Sequence, residues 1–118
     1  MSTDQHNLIM ITAAPVADAE PIDMALALAA FDQPTTMLFL GQGIYWLING
    51  QQARKPGGKS PSRLVAALPL YECEAIYYAA SDLEPLCLNA EQLSRLATAA
   101  TDDVIRTLIA SSHHCLSF

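Results

Sequence analysis

The residues most able to do chemistry in this 118-residue chain are its three cysteines, Cys73, Cys87 and Cys115. A reactive cysteine is accessible, and a helix N-terminus or a cation favours its thiolate. Cys73 has Glu72 and Glu74 beside it, whose charges oppose a thiolate. Cys87 stands between Leu86 and Leu88 and reads as a packed side chain. Cys115 follows His113 and His114 near the chain end and is the best thiol candidate of the three. Against each stands the plainer reading of a buried, inert thiol, since cysteine packs well as a small hydrophobe.

Other chemistries fare worse. His113, His114 and Cys115 are metal-ligand types, but strand side chains alternate between faces, so only His113 and Cys115 would share one. A structural zinc needs four ligands, and no metal site is expected. Gly57-Gly-Lys-Ser60 looks like the tail of a phosphate-binding loop. The full motif needs a glycine where Ala53 stands, a strand before it and a helix after it, yet Pro61 follows at once. No Gly-x-Ser-x-Gly elbow positions a serine nucleophile. No cofactor is expected.

The elements that would carry these residues can be read from pattern. Leu8 to Ala14 is a continuous apolar run that predicts a strand buried on both faces. Asp18, Glu20, Pro21 and Asp23 suit a helix's first turn. That helix is expected over 22–31, apolar almost all round. Met37–Leu40 predicts a second strand, and Gly41-Gln-Gly43 opens a helix over Ile44–Ile48. Residues 51–62 are rich in Gly, Pro and Lys and predict a loop, with a short helical turn over Leu64–Leu68. Glu74–Ala80 is a third strand, Ser81 begins a helix, and Thr101 caps a helix ending near Ser111. His114–Phe118 is the final strand. Alternation of this kind implies an α/β domain with a parallel sheet, and residues 1–118 fit one domain.

Composition sets the outer limits. Hydrophobic residues make up 52% of the chain and charged ones 15%. A domain this small cannot bury all of them, so a hetero- or homo-oligomer is expected. Twelve acids against six bases give a net charge of −6, which disfavours direct nucleic-acid binding. Arg54, Lys55, Lys59 and Arg63 form a basic stretch that reads as a solvated loop. Neither a signal peptide nor a membrane span is apparent, and odd, widely spaced cysteines suit a reducing cytoplasm.

Several motifs then agree in order and spacing: Glu20-Pro-Ile-Asp23, Phe39-Leu-Gly-Gln-Gly-Ile44, Leu47-Ile-Asn-Gly-Gln51 and Leu68-Pro-Leu-Tyr71. The ending Cys115-Leu-Ser-Phe118 joins them. Together they resemble the TusC/DsrF subunits of bacterial sulfur-relay complexes. The resemblance implies a three-layer α/β/α sandwich with a mostly parallel five-stranded sheet. It puts a fourth strand near Leu93–Thr98, where local propensity favours helix. Gln42 stands where this family usually has Asp, and Cys115 where it usually has an aliphatic residue.

The resemblance also implies partners, namely TusB/DsrH-like and TusD/DsrE-like sibling subunits. In the TusD-like sibling, a cysteine after the third strand carries sulfur as a persulfide. The matching positions here, near Tyr78 and Ala79, hold no sulfur. The chain is therefore expected to be a non-catalytic structural subunit, serving tRNA 2-thiouridine synthesis or sulfur oxidation. Ile22, Leu26, Tyr45 and Trp46 are the candidate interface residues, with a packed core as their alternative reading. Two other functions stay open: a stand-alone sulfurtransferase using Cys115, and a homo-oligomeric binding module with an unrelated task.

Overall fold

A computed structural model describes residues 6–14, 27, 34–49, 65–67 and 75–118. Five parallel strands form one sheet: β1 (Asn7–Ile11), β2 (Thr35–Phe39), β3 (Ala75–Ala79), β4 (Thr98–Ala100) and β5 (His114–Ser117). Their spatial order is β4-β3-β2-β1-β5. The chain therefore steps outward from β1 to β4. A ten-residue helix, α1 (Asp102–Ser111), then precedes β5 on the far side of β1. The two sheet edges are thus β4 and β5.

The register divides the apolar residues between two faces. Ile9 pairs with Met37 and Ile11 with Phe39; Met37 in turn pairs with Ile76 and Phe39 with Tyr78. These six side chains share one face and belong to a single buried cluster with Ile44, Trp46, Leu47, Val65 and Leu93. Leu8 and Leu38 point the other way and are also fully buried. A strand buried on both faces has no polar alternation to keep, which is why Leu8–Ile11 of β1 and Met37–Phe39 of β2 read as apolar runs, behind the buried polar residues Asn7, Thr35 and Thr36. Each large side chain so buried contributes roughly 1.5–3 kcal/mol.

Two expectations change. The fourth strand is Thr98–Ala100, at the end of the span expected for it. Leu93 instead makes an isolated antiparallel bridge to Ile48, and the chain turns at Arg95 and Leu96 before β4. The expected helix after Gly41-Gln-Gly43 is a seven-residue 3-10 helix, Gly41–Leu47. Such helices seldom run beyond a few residues. Tertiary packing holds this one, because Gly43, Ile44, Trp46 and Leu47 are all buried. Gly43 also has a steric role: a Cβ there would overlap the Ile11 carbonyl, with its carbon at 2.6 Å.

After β3 the chain makes a single 3-10 turn, Ala80–Asp82, and further turns to Cys87, where a helix was expected. Val65–Ala67 are helical, as expected. The interface candidates Ile22 and Leu26, the loop over 51–62 and Cys73 lie outside the described residues. Of the helix expected over 22–31, only Ala27 is described, and it is helical and exposed.

Candidate functional site

In open parallel sheets, sites form outside the carboxyl ends of the strands. Here those ends are tied together by polar contacts. The Leu40 N–H donates to Ile11 O at 2.9 Å, and the Gly43 N–H to Leu40 O at 2.8 Å. The Gly41 N–H donates to Asp82 Oδ2 at 2.8 Å, joining the loops after β2 and β3. Gly41 takes a left-handed φ of +51°, which presents that N–H and suits glycine. The Ser81 hydroxyl lies 3.4 Å from Asp102 Oδ1, linking the turn after β3 to the start of α1. Thr12 donates through both its N–H and its hydroxyl to Phe118 O, at 2.8 and 3.0 Å.

This edge carries carboxylates, hydroxyls and amides. The turn that follows β3 is Ala80-Ser81-Asp82, with no thiol. The two described cysteines lie elsewhere. Both are exposed and free. The expectation that Cys87 packs is wrong in a specific way. Leu86 and Leu88 pack against the core cluster, and Cys87 between them turns outward with a φ of +58°. Cys115 is exposed too, rather than buried, on edge strand β5 beside Leu8. It does not share a side with His114, its neighbour in the strand.

The histidines bind each other's backbone. The His6 N–H donates to His113 Nδ1 at 3.2 Å, while His113 and His114 N–H groups donate to His6 O at 2.8 and 3.3 Å. His6 Nε2 lies 2.6 Å from the hydroxyl of buried Thr36. These contacts fix the start of β5 against the start of β1. Among the described residues no group of three or more His, Cys, Asp or Glu could hold a metal ion.

Trp46, an interface candidate, is instead a core residue. It is 2% exposed, and its indole N–H donates to Ala13 O at 3.1 Å. Its size and polar handle suit either role, and here the core takes it. Tyr45, one residue earlier, is half-buried.

The surface that sequence reasoning missed is at the other end of the chain. Thr101 caps α1 by accepting from the Val104 N–H at 3.3 Å, and Asp102 and Asp103 occupy the first turn. The helix places Val104, Ile105, Leu108 and Ile109 on one stripe. Such a stripe normally faces a core. Here no residue of α1 is buried, and Val104 and Ile109 are 39% and 43% exposed. β5 is exposed at every position, with Leu116 at 37%. The signal was present in the sequence as the apolar stripe itself, but pattern alone does not say whether such a stripe faces core or solvent.

Comparison with known proteins adds the lineage. The model of the DsrE/DsrF-like family matches residues 6–118. A Pseudomonas aeruginosa protein named as a TusC homolog is 33% identical over 90 residues, 76% of each chain. An Allochromatium vinosum protein, named intracellular sulfur oxidation protein DsrF, is 36% identical over 78 residues, covering 66% of this chain and 57% of that one. In structure, the ychN protein from E. coli superposes with a TM-score of 0.83 over 97% of this chain and 99% of that one, at 13% identity. That likeness concerns the fold. With the family model spanning nearly the whole length and a relative one-third identical over three quarters of it, the chain belongs to the DsrE/DsrF-like family.

Proposed function

We propose that this protein is a partner-binding subunit of a cytoplasmic sulfur-relay complex, and that a sibling chain supplies the cysteine that carries the persulfide. The observation that carries the reading is the unburied end of the molecule. A capped, amphipathic helix and an edge strand leave Val104, Ile109 and Leu116 in solvent. Apolar residues gathered on consecutive elements favour a protein contact. The relatives named TusC and DsrF support a sulfur relay as the setting. The chemistry suits such a role. A persulfide passed between proteins must stay away from solvent thiols, so protein contact guides the transfer. The partners would be TusB/DsrH-like and TusD/DsrE-like siblings.

A second reading has its own observation: Cys115 and Cys87 are exposed thiols, so a stand-alone sulfurtransferase has sulfur to use. One experiment separates the two. The purified chain is treated with a persulfide donor, desalted and weighed intact. The subunit reading expects no retained sulfur, and transfer only when the sibling chains are added. A stable gain of one sulfur that Cys115→Ala abolishes, followed by transfer without siblings, would establish the enzyme instead.

A further inference from the structure

All three histidines of the chain meet where the end of α1 passes into β5. The His6 N–H donates to His113 Nδ1 at 3.2 Å, and the His113 N–H returns a bond to His6 O at 2.8 Å. His6 O also accepts from the His114 N–H at 3.3 Å. This reciprocal pair joins the start of β5 to the residue before β1, 107 positions away in sequence. β5 is an edge strand that pairs with β1, so the pair holds one end of its attachment. The Phe118 N–H holds the other end, donating to Met10 O at 2.9 Å.

The bond to Nδ1 depends on charge. A ring nitrogen accepts only while it carries no proton, so His113 makes this bond as a neutral ring with its proton on Nε2. An imidazolium carries a proton on both nitrogens, and donor would then face donor. The His6 ring differs. Its Nε2 lies 2.6 Å from the Thr36 hydroxyl, which can accept as well as donate, so that contact suits either charge state. His113 also stands one residue past Ser112, the C-cap of α1. A helix C-terminus carries partial negative charge and favours a cation. Its last carbonyls already draw in donors: the Ser111 hydroxyl donates to Leu108 O at 3.3 Å and the Ser112 hydroxyl to Ile109 O at 2.9 Å. Among the described residues, the titratable side chains on the elements meeting here are His6, His114 and Cys115; β1 and the last turn of α1 hold none.

We propose that His113 is a proton-operated latch on β5. Neutral, it holds the start of β5 against the residue leading into β1. Protonated, it releases the His6 N–H and turns to the C-terminal carbonyls of α1. Its hold on β5 is present at neutral pH and is lost as pH falls through the range in which imidazoles gain a proton, about pH 8 to 5. The latch sits on the strand that the sulfur-relay reading assigns to docking, so acid would loosen that contact. Only this consequence rests on that reading; the latch belongs to the chain alone, and its test needs no sibling.

The test is amide solvent exchange of the full chain by NMR at about pH 7.5 and about pH 5.5, either side of the ordinary imidazole range, with rates corrected for the intrinsic effect of pH. The His6, His113 and His114 amides should lose protection about threefold or more at the lower pH, as the loss of one hydrogen bond implies. The Phe118 amide, at the other end of β5, should keep its protection. His113→Asn places an acceptor oxygen near the position of Nδ1 and does not titrate, so its His6 amide should be protected equally at both pH values. His114→Gln should behave as the wild-type chain does. Wild-type protection that is the same at both pH values would overturn the proposal. So would a His113→Asn chain that loses as much protection as wild type, or a His114→Gln chain that loses none, since either would assign the change to another histidine.

Discussion

At the scale of single residues, two backbone positions decide what the chain tolerates. Gly43 approaches the Ile11 carbonyl so closely that no side chain fits. Gly43→Ala should lower stability by about 3 kcal/mol, the upper end for overpacking, as a fall in the urea midpoint. Cys87 is the reverse case. It holds a left-handed φ of +58°, costly for a residue with a Cβ, and its side chain is exposed. Cys87→Gly should raise stability by about 1 kcal/mol on the same denaturation curve. Either outcome with the opposite sign would contradict the local geometry. Neither position was legible from residue type. Cys87 sits between two leucines that do pack, and the turn that rotates it outward is set by the backbone. Trp46 was ambiguous for another reason: a large aromatic side chain suits an interface or a core equally, and the Ala13 carbonyl within reach of its indole marks it as core.

Among the elements, β1, β2, β3, β5 and α1 were legible because each carries a strong pattern. Apolar runs over Leu8–Ile11 and Met37–Phe39 mark strands buried on both faces, and Thr101-Asp-Asp103 marks a capped helix start. β4 was not legible. It has three residues, Thr98–Ala100, whose alanines favour helix, and only pairing with β3 makes it a strand. The 3-10 helix over Gly41–Leu47 was expected as a helix over Ile44–Ile48, with its winding unspecified, because sequence does not encode how tightly Ile44, Trp46 and Leu47 must wind to reach the core. Two caps can be tested. Thr101→Ala removes the acceptor for the Val104 N–H and should cost about 1 kcal/mol in thermal or urea unfolding. Asp82→Ala breaks the bond that ties Gly41 to the turn after β3. It should cost about 1.5–3 kcal/mol, the range for hydrogen bonds to charged groups, whereas Asp82→Asn, which keeps an acceptor oxygen, should cost less. Equal losses in the two Asp82 variants would argue against that bond as the link.

At the scale of the whole molecule, the apolar composition pointed to oligomers, but the interface candidates chosen from sequence were Ile22, Leu26, Tyr45 and Trp46, and the 102–111 helix was not among them. The stripe on α1 is the pattern of a buried helix, yet no residue of α1 is buried. Only the three-dimensional arrangement reveals that Val104 and Ile109 on the stripe are exposed while Ile105 and Leu108 are half-buried, and that β5 lies exposed at the sheet edge. The central claim is that this surface docks a sibling chain, which then supplies the reactive sulfur. Its most direct measurement is native mass spectrometry of the chain co-expressed with TusB/DsrH-like and TusD/DsrE-like siblings, compared with the Ile109→Asp and Leu116→Asp variants. The wild-type chain should appear in a hetero-oligomer, and each variant should keep its fold and shift the chain towards free monomer. A wild-type chain that stays out of any complex, or variants that assemble as fully as wild type, would contradict the account.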